Sequence, residues 1–386
     1  MTLRSRGRRL LAGCLVFAAA ILGGAGGQLL GLCGPFTDVA NDAFCAFVLE
    51  IFYLGITTGT TATTYDPASN VSRLQMAAFL SRTVDGALRR GSRRAALDQF
   101  WATQNATALG LTTVGPVPHH VRSDGADLWV GGGGVISRVR ASDGKLLETW
   151  TGAPNAEGAL VAMGKVFFAG TQAQGRLYRI DPTAPAGAVD IVVSDVGGNT
   201  RGLAFDGALI WTGNTNSVSL VTPSATIPWT VTTVTTGFGS VIGMLYDGSS
   251  VWAADNSFQA IRKLNPTGAI LQTVTVGSAP QYPVFDGSNI WVPNTGSTSV
   301  SVVRASTGAV LATLTGNGLD QPIVAAFDGQ RVLITNNGTH NVSLWKAADL
   351  TAIGPVDLGV GKIPYGACSD GIHFWIALSS GHLGRF

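Results

Sequence analysis

Charge is scarce in this sequence. Asp, Glu, Lys and Arg together make up 12% of 386 residues, and the formal net charge is +2. A chain so near neutrality has no strongly basic patch, which excludes an electrostatic nucleic-acid binder. With a hydrophobic fraction of 46%, it is not an intrinsically disordered polyelectrolyte either. Histidine is scarcer still, with five residues, of which only His119 and His120 are adjacent. No CxxC or Cys/His spacing suggests zinc, and no Ser/His/Asp or phosphate-loop signature is present. The sequence therefore implies no metal, no cofactor and no assigned catalytic residue.

Glycine is abundant, with 51 residues. Much of it falls in a recurring phrase. FDGSNIWVPN at Phe285 returns as SDGADLWVGG at Ser123, FDGALIWTGN at Phe205, YDGSSVWAAD at Tyr246, FDGQRVLITN at Phe327 and SDGIHFWIAL at Ser369, with a weaker copy, AMGKVFFAGT, at Ala162. The marker glycines Gly125, Gly164, Gly207, Gly248, Gly287, Gly329 and Gly371 are 39, 43, 41, 39, 42 and 42 residues apart. A period near forty identifies a repeat architecture.

Each copy divides into four short alternating runs with Gly, Asn or Asp at the joins, the pattern of an antiparallel meander. Four strands per forty residues is the unit of a β-propeller blade. The expected fold is mainly all-β: a seven-bladed propeller over residues 106–386, preceded by a small helical module. The Asp-Gly pair is expected to supply positive φ angles to a tight hairpin. Four residues after each marker glycine, Trp129, Phe168, Trp211, Trp252, Trp291, Leu333 and Trp375 are expected to fill the space between blades. The last copy ends after three strands, whereas ATALGLTTVG, residues 106–115, reads as an unused outer strand. It is predicted to complete the seventh blade and close the ring, leaving no exposed edge.

The repeat resembles the YVTN family of surface and periplasmic propellers. Trp291-Val292-Pro293-Asn294, Thr298-Ser299-Val300-Ser301-Val302-Val303 and Val310-Leu311-Ala312-Thr313-Leu314 follow the family's Y-V-A-N, T-V-S-V-I-D and V-V-A-T-I runs. Propellers of this kind bind at one mouth of the central channel. The residues six before each marker glycine form the candidate ring there: His119, Gly158, Arg201, Ile242, Gln281, Ile323 and Tyr365, with His120, Glu157 and Tyr282 adjacent. A single acid, Glu157, is too little for a carboxylate-rich cation site. Neighbouring strand residues face opposite ways, so His119 and His120 are not expected to point inward together. Cys368 is expected to be a buried thiol.

Ahead of the repeats, MTLRSRGRRL and an apolar stretch ending in small residues have the layout of a secretory signal peptide over residues 1–30, predicting a secreted, cell-surface or periplasmic location. The span to Leu32 is also long enough to cross a bilayer, so an uncleaved anchor is the alternative. In an exported segment, Cys33 and Cys45 are a candidate disulfide. Residues 85–105, with Arg89, Arg90, Arg93 and Arg94, read as an arginine-rich linker.

Between signal and linker, residues 34–84 resemble an S-layer homology domain. Phe36-Thr37-Asp38-Val39 matches its opening F-x-D-V, Gly55-Ile56-Thr57-Thr58-Gly59 its G-I-x-x-G, and Tyr65-Asp66-Pro67 followed by Val71-Ser72-Arg73 its F-x-P and V-T-R. Phe44 stands where the family has Trp, and Gln75 where its T-R-A-E tetrad has the acid. Helices are expected from Ala43 to Tyr53 and from Ser72 to Arg82, with Ser72 as the cap of the second. The resemblance implies binding of peptidoglycan or a secondary cell-wall polymer, with Asp38, Phe44, Ser72 and Arg73 as candidate wall-binding residues.

Together these features predict an exported envelope protein whose propeller is a non-catalytic scaffold for a protein, peptide or glycan. An extracellular lyase or lactonase working at the channel mouth is one alternative, and a structural surface-layer component is another.

Overall fold

The computed structural model describes residues 110–386 throughout and, nearer the N-terminus, residues 35–39, 45, 48, 51–52, 56–80 and 83. The expected signal peptide, the linker, Cys33 and Phe44 lie outside the described residues. The chain divides into two units, Met1–Arg93 and Arg94–Phe386.

The second unit consists of seven four-stranded antiparallel sheets. Blades 1 to 7 are numbered here by the seven copies. In blade 1 the strands run in sequence order: Pro118–Ser123, Asp127–Gly132, Val135–Arg140 and Leu146–Thr151. Blade 7 is assembled from both ends of the repeat region. Its inner three strands are Pro364–Ser369, Phe374–Leu378 and His382–Arg385, and its outer strand is Leu111–Thr113, paired Leu111 to Gly384 and Thr113 to His382. This is the predicted closure, and it covers the edge that the last strand would otherwise expose.

The large residues after the turns do sit between blades. Trp129, Trp252, Trp291, Leu333 and Trp375 are 0% exposed and Trp211 is 1% exposed. Trp291, for example, packs with Ala325, Val332 and Ile334 of blade 6, and Trp375 with Val121, Leu128 and Val130 of blade 1.

The Asp-Gly turns differ from expectation. Six of the hairpins have four-residue loops, as in Phe285 paired with Ile290, and only the glycine takes positive φ, +96° at Gly287. The aspartate has another task. Asp286 Oδ1 accepts the N–H groups of Ser288 (2.8 Å) and Asn289 (2.7 Å), while Oδ2 accepts the indole Nε1–H of Trp291 at 2.7 Å. One carboxylate thus shapes the loop and fixes the buried ring. The same bond joins Asp124 to Trp129, Asp206 to Trp211, Asp247 to Trp252 and Asp370 to Trp375 at 2.7–2.8 Å. In blade 6, where Leu333 has no side-chain N–H, the Arg331 Nε donates to Asp328 Oδ2 at 2.8 Å instead.

Blade 2 alone has the two-residue turn, with Met163 and Gly164 at φ +54° and +67° between the paired residues Ala162 and Lys165. Both central residues in the left-handed region is the requirement of a type I′ turn. The shorter turn moves the register by one residue on each side. Phe167, not Phe168, therefore faces the next blade with Leu203 and Ile210, whereas Phe168 packs back on Trp129.

A second buried polar device recurs in blades 3, 4, 5 and 6. Asn214, Asn294 and Asn336 are wholly buried at the end of the second strand. Their amides donate to Ser219, Ser301 and Ser343 on the third strand at 3.2, 3.0 and 2.9 Å. Blade 4 replaces the amide by a charge: Asp255 accepts Arg262 Nε and the Gly239 N–H, both at 3.0 Å. Each of these buried side chains keeps at least one hydrogen bond, which offsets part of the cost of burial, although Asn294 Oδ1 and Asp255 Oδ1 have no partner among the described residues.

In the first unit, Phe36 and Val39 are buried, and the Phe36 ring meets Phe52 edge-on at 5.2 Å. The described part of the second helix covers residues 73–80.

Candidate functional site

The inner strands converge closely at the channel mouth. A Cβ on Gly202 would lie 2.7 Å from the Ile242 carbonyl oxygen, one on Gly243 2.4 Å from that of Gln281, and one on Gly366 2.3 Å from that of His119. Gly158 meets the Arg201 carbonyl in the same way, at 1.6 Å. These glycines occupy one slot, five before the marker in the blades with four-residue loops, and they let neighbouring inner strands touch backbone to backbone. Because of its shorter turn, blade 2 places Glu157, not Gly158, in the mouth ring. The ring is therefore His119, Glu157, Arg201, Ile242, Gln281, Ile323 and Tyr365.

Three blades fill the glycine slot with a side chain: buried Val324 in blade 6, and the rings of His120 and Tyr282 in blades 1 and 5. These two rings meet across the axis with centroids 4.3 Å apart and planes at 60°. The Tyr282 hydroxyl donates to Glu157 Oε1 at 2.7 Å, and Arg201 Nη1 lies 3.7 Å from the same oxygen. Four of the expected residues, drawn from blades 1, 2, 3 and 5, thus form one cluster. His119 instead stacks on Tyr365 with centroids 5.1 Å apart, so the two histidines do diverge. Gln281 contributes its main chain, with its N–H donating to the Pro293 carbonyl at 2.9 Å.

The electrostatics of the cluster follow from its burial. Both ring nitrogens of His120 are buried and have no hydrogen-bond partner. Burial, then the charges of Arg122, His119 and Arg201, bring its pKa down to about 3, so the ring is neutral at pH 7. Burial and the adjacent Glu157 raise the Tyr282 pKa, which keeps the phenol protonated as a donor. Among the described residues, no group of three or more His, Cys, Asp or Glu side chains is placed to hold a metal ion.

Arg122 belongs to this site and was missed by sequence reasoning. It stands three before its marker glycine, where five other blades carry Ala204, Leu245, Val284, Ala326 and Cys368 and blade 2, with its shorter turn, places Leu160 four before Gly164. A charge in an otherwise apolar slot is a signal the repeat alignment carries. Its Nε donates to the Ala159 carbonyl at 3.2 Å, and no carboxylate among the described residues pairs with it. Cys368 is buried as expected, and burial pushes its thiol up to about 12, the mark of an unreactive cysteine.

The candidate wall-binding residues have local partners. Asp38 accepts the N–H of Tyr65 at 2.9 Å and that of Asp66 at 2.7 Å, and these bonds hold its pKa below the ordinary carboxylate value. Ser72 and Gln75 form a reciprocal capping box: the Ser72 N–H donates to Gln75 Oε1 at 2.8 Å, and the Gln75 N–H to Ser72 Oγ at 3.2 Å. Gln75 therefore supplies the acceptor expected of the missing acid. Arg73 is exposed.

Those motifs are decided by comparison with family models. Residues 35–77 match the S-layer homology domain. The domain implies association with the cell surface, and such domains bind cell-wall polymers. The propeller is similar to solved structures of propeller proteins. A virginiamycin B lyase from Staphylococcus aureus, solved as an inactive variant with quinupristin, superimposes with a TM-score of 0.61 at 16% identity, covering 72% of this chain and 98% of that one. A streptogramin B lyase gives 0.59 at 16% identity over 73% and 99%, and the WD40 propeller domain of Doa1 gives 0.58 at 12% over 72% and 97%. At these identities the likeness shows the fold alone. A comparison with curated proteins returns no match.

Proposed function

We propose that this chain is an exported, wall-associated scaffold, in which the S-layer homology domain holds the protein to peptidoglycan or a wall polymer and the propeller presents a non-catalytic binding surface at its channel mouth. The observation that supports the non-catalytic reading is the commitment of the mouth's acid and phenol to each other. Glu157 accepts Tyr282 at 2.7 Å and lies beside Arg201, which leaves neither poised against open space as a general base. His120 sits behind this pair with a depressed pKa. A general acid or base works best with a pKa near the operating pH, and His120 is far below it.

Two measurements test this reading. Mature protein and residues 106–386 are each sedimented with purified peptidoglycan and with wall polymer. The full chain is expected to pellet, and the propeller alone to stay in solution. Co-sedimentation of neither would overturn the wall-associated reading. In parallel, quinupristin is incubated with the protein and its ring opening followed by chromatography. No turnover is expected, and turnover that is lost on Glu157→Gln would replace the scaffold with a lyase.

A further inference from the structure

The axis of the propeller carries a charge imbalance. Two guanidinium groups, Arg122 and Arg201, and one carboxylate, Glu157, lie around His120, and Glu157 is already shared between Tyr282 and Arg201. Arg122 stands on the innermost strand of blade 1, yet its side chain is solvent-exposed. With sheets covering that strand on both sides, the water that reaches Arg122 is the water of the channel. Surrounding protein still costs the cation solvation, and burial lowers its pKa. A cation held in a confined channel without a counter-charge is unfavourable unless something neutralises it.

A second and independent observation is the pair of buried ring nitrogens of His120, neither of which has a partner. Single orphaned polar atoms occur elsewhere in the fold, but His120 is the one described side chain with both of its polar atoms orphaned, which points to a group that the protein does not supply. His120 and Arg122 are two apart on one strand and so share a face. A neutral imidazole provides one N–H donor, and Arg122 retains its Nη groups.

We propose that the channel below the mouth is an oxyanion site, in which Arg122 and Arg201 hold a carboxylate or phosphate group against the N–H of His120. This deepens the scaffold reading, on which it rests, by assigning the ligand an anionic end. Guanidinium forks match either oxyanion, and charge-assisted hydrogen bonds of this kind are the stronger class.

The full chain is titrated at pH 7 and low ionic strength with sodium phosphate and, separately, sodium acetate, against sodium chloride at matched ionic strength. Calorimetry measures binding, and the His120 C2–H resonance reports the site. A short peptide with a free C-terminus and its C-terminal amide form a further arm. One saturable site that moves the His120 resonance is expected, with Arg122→Gln weakening it at least tenfold and Arg122→Lys less. Saturation by free phosphate or acetate alone assigns a small free anion, whereas tighter binding of the free peptide than of its amide assigns a ligand terminus. Absence of saturable binding by any of these probes would overturn the proposal. So would binding that is undiminished in folded Arg122→Gln, or that leaves His120 unmoved. Should Arg122→Gln fail to fold, the wild-type His120 titration decides alone. The sedimentation assay reads the wall-associated scaffold separately, so either conclusion can fail without the other.

Discussion

Replacing Asp286 by alanine removes four hydrogen bonds at once, one of them a long 3.3 Å bond from Asn289 Nδ2, and the separate environments of the other three set the cost. The Trp291 indole N–H is part of a residue that is 0% exposed, so losing its acceptor leaves a buried donor unpaired, at about 1–3 kcal/mol. The Ser288 and Asn289 N–H groups lie in a loop that water reaches, and each loses about 0.5–1 kcal/mol. The expected destabilisation is about 3 kcal/mol. Asp286→Asn retains an oxygen for the loop but opposes one N–H donor to another at the indole, so it is expected to cost about 1–2 kcal/mol. Urea titration followed by fluorescence gives these values from the midpoint, provided the slope is unchanged. A double-mutant cycle with Trp291→Phe isolates the shared bond, with an expected coupling of about 1 kcal/mol. A coupling near zero, or an Asp286→Ala protein as stable as wild type, would refute the dual role of the carboxylate. Blade 2 is the natural reference, because it has neither the aspartate nor a tryptophan and uses the type I′ turn instead.

The glycine slot gives a sharper contrast. Gly158→Ala puts a methyl group against the Arg201 carbonyl and should prevent soluble expression, whereas Gly187→Ala, with nothing nearer than 4.0 Å, should leave the urea midpoint unchanged. Truncation before Gly115 removes the outer strand of blade 7 and exposes the edge of His382–Arg385; light scattering should then show more aggregation than for residues 106–386 under the same conditions. Stability should fall with acid in two stages. His120 is depressed from 6.5 to about 3, so the unfolded chain takes up a proton more readily and stability declines as the pH drops from about 6.5 towards 3. At Asp370, burial opposes ionisation but hydrogen bonds from His373, Trp375 and the turn outweigh it and bring the pKa to about 2. Its contribution is complete above about pH 4 and is lost as the pH falls towards 2. Urea midpoints between pH 7 and 3 check the sign, and a flat profile would contradict it.

Much of the fold was legible because the repeat states it seven times. The spacing of the marker glycines sets the blade count, and the three-strand final copy requires a donor strand, which Leu111–Thr113 supplies. Burial of Trp129, Trp211, Trp252, Trp291 and Trp375 followed from a large apolar residue recurring at one register. The turn chemistry was not legible in the same way, because an Asp-Gly pair serves both a two-residue type I′ turn and a four-residue loop closed by the aspartate. Counting from Gly164 as though all turns were alike put Phe168 and Gly158 where Phe167 and Glu157 stand. The contact from Tyr282 to Glu157 joins residues 125 apart across the axis, and nothing local in either segment encodes it. The capping role of Gln75 was legible in principle, since glutamine serves the capping box as glutamate does.

The seven copies also act as internal controls for function. A residue type that recurs at one slot is explained by the slot: glycine in four blades where inner strands touch, tryptophan in five between sheets, asparagine in three at the end of the second strand. A residue that departs from its slot is not demanded by the architecture. His120 and Tyr282 stand where Gly158, Gly202, Gly243 and Gly366 allow close approach, and Arg122 stands in a slot that is otherwise apolar apart from a thiol. His120 and Tyr282 meet at the axis, Glu157 and Arg201, the charged members of the mouth ring, join them, and the charge of Arg122 acts on His120. The remaining filled glycine slot, Val324 in blade 6, holds a buried aliphatic side chain and adds no polar group. The polar departures come from blades 1, 2, 3 and 5 yet contact one another at one end of the channel, which is the reason to look for the ligand there and not on the rim.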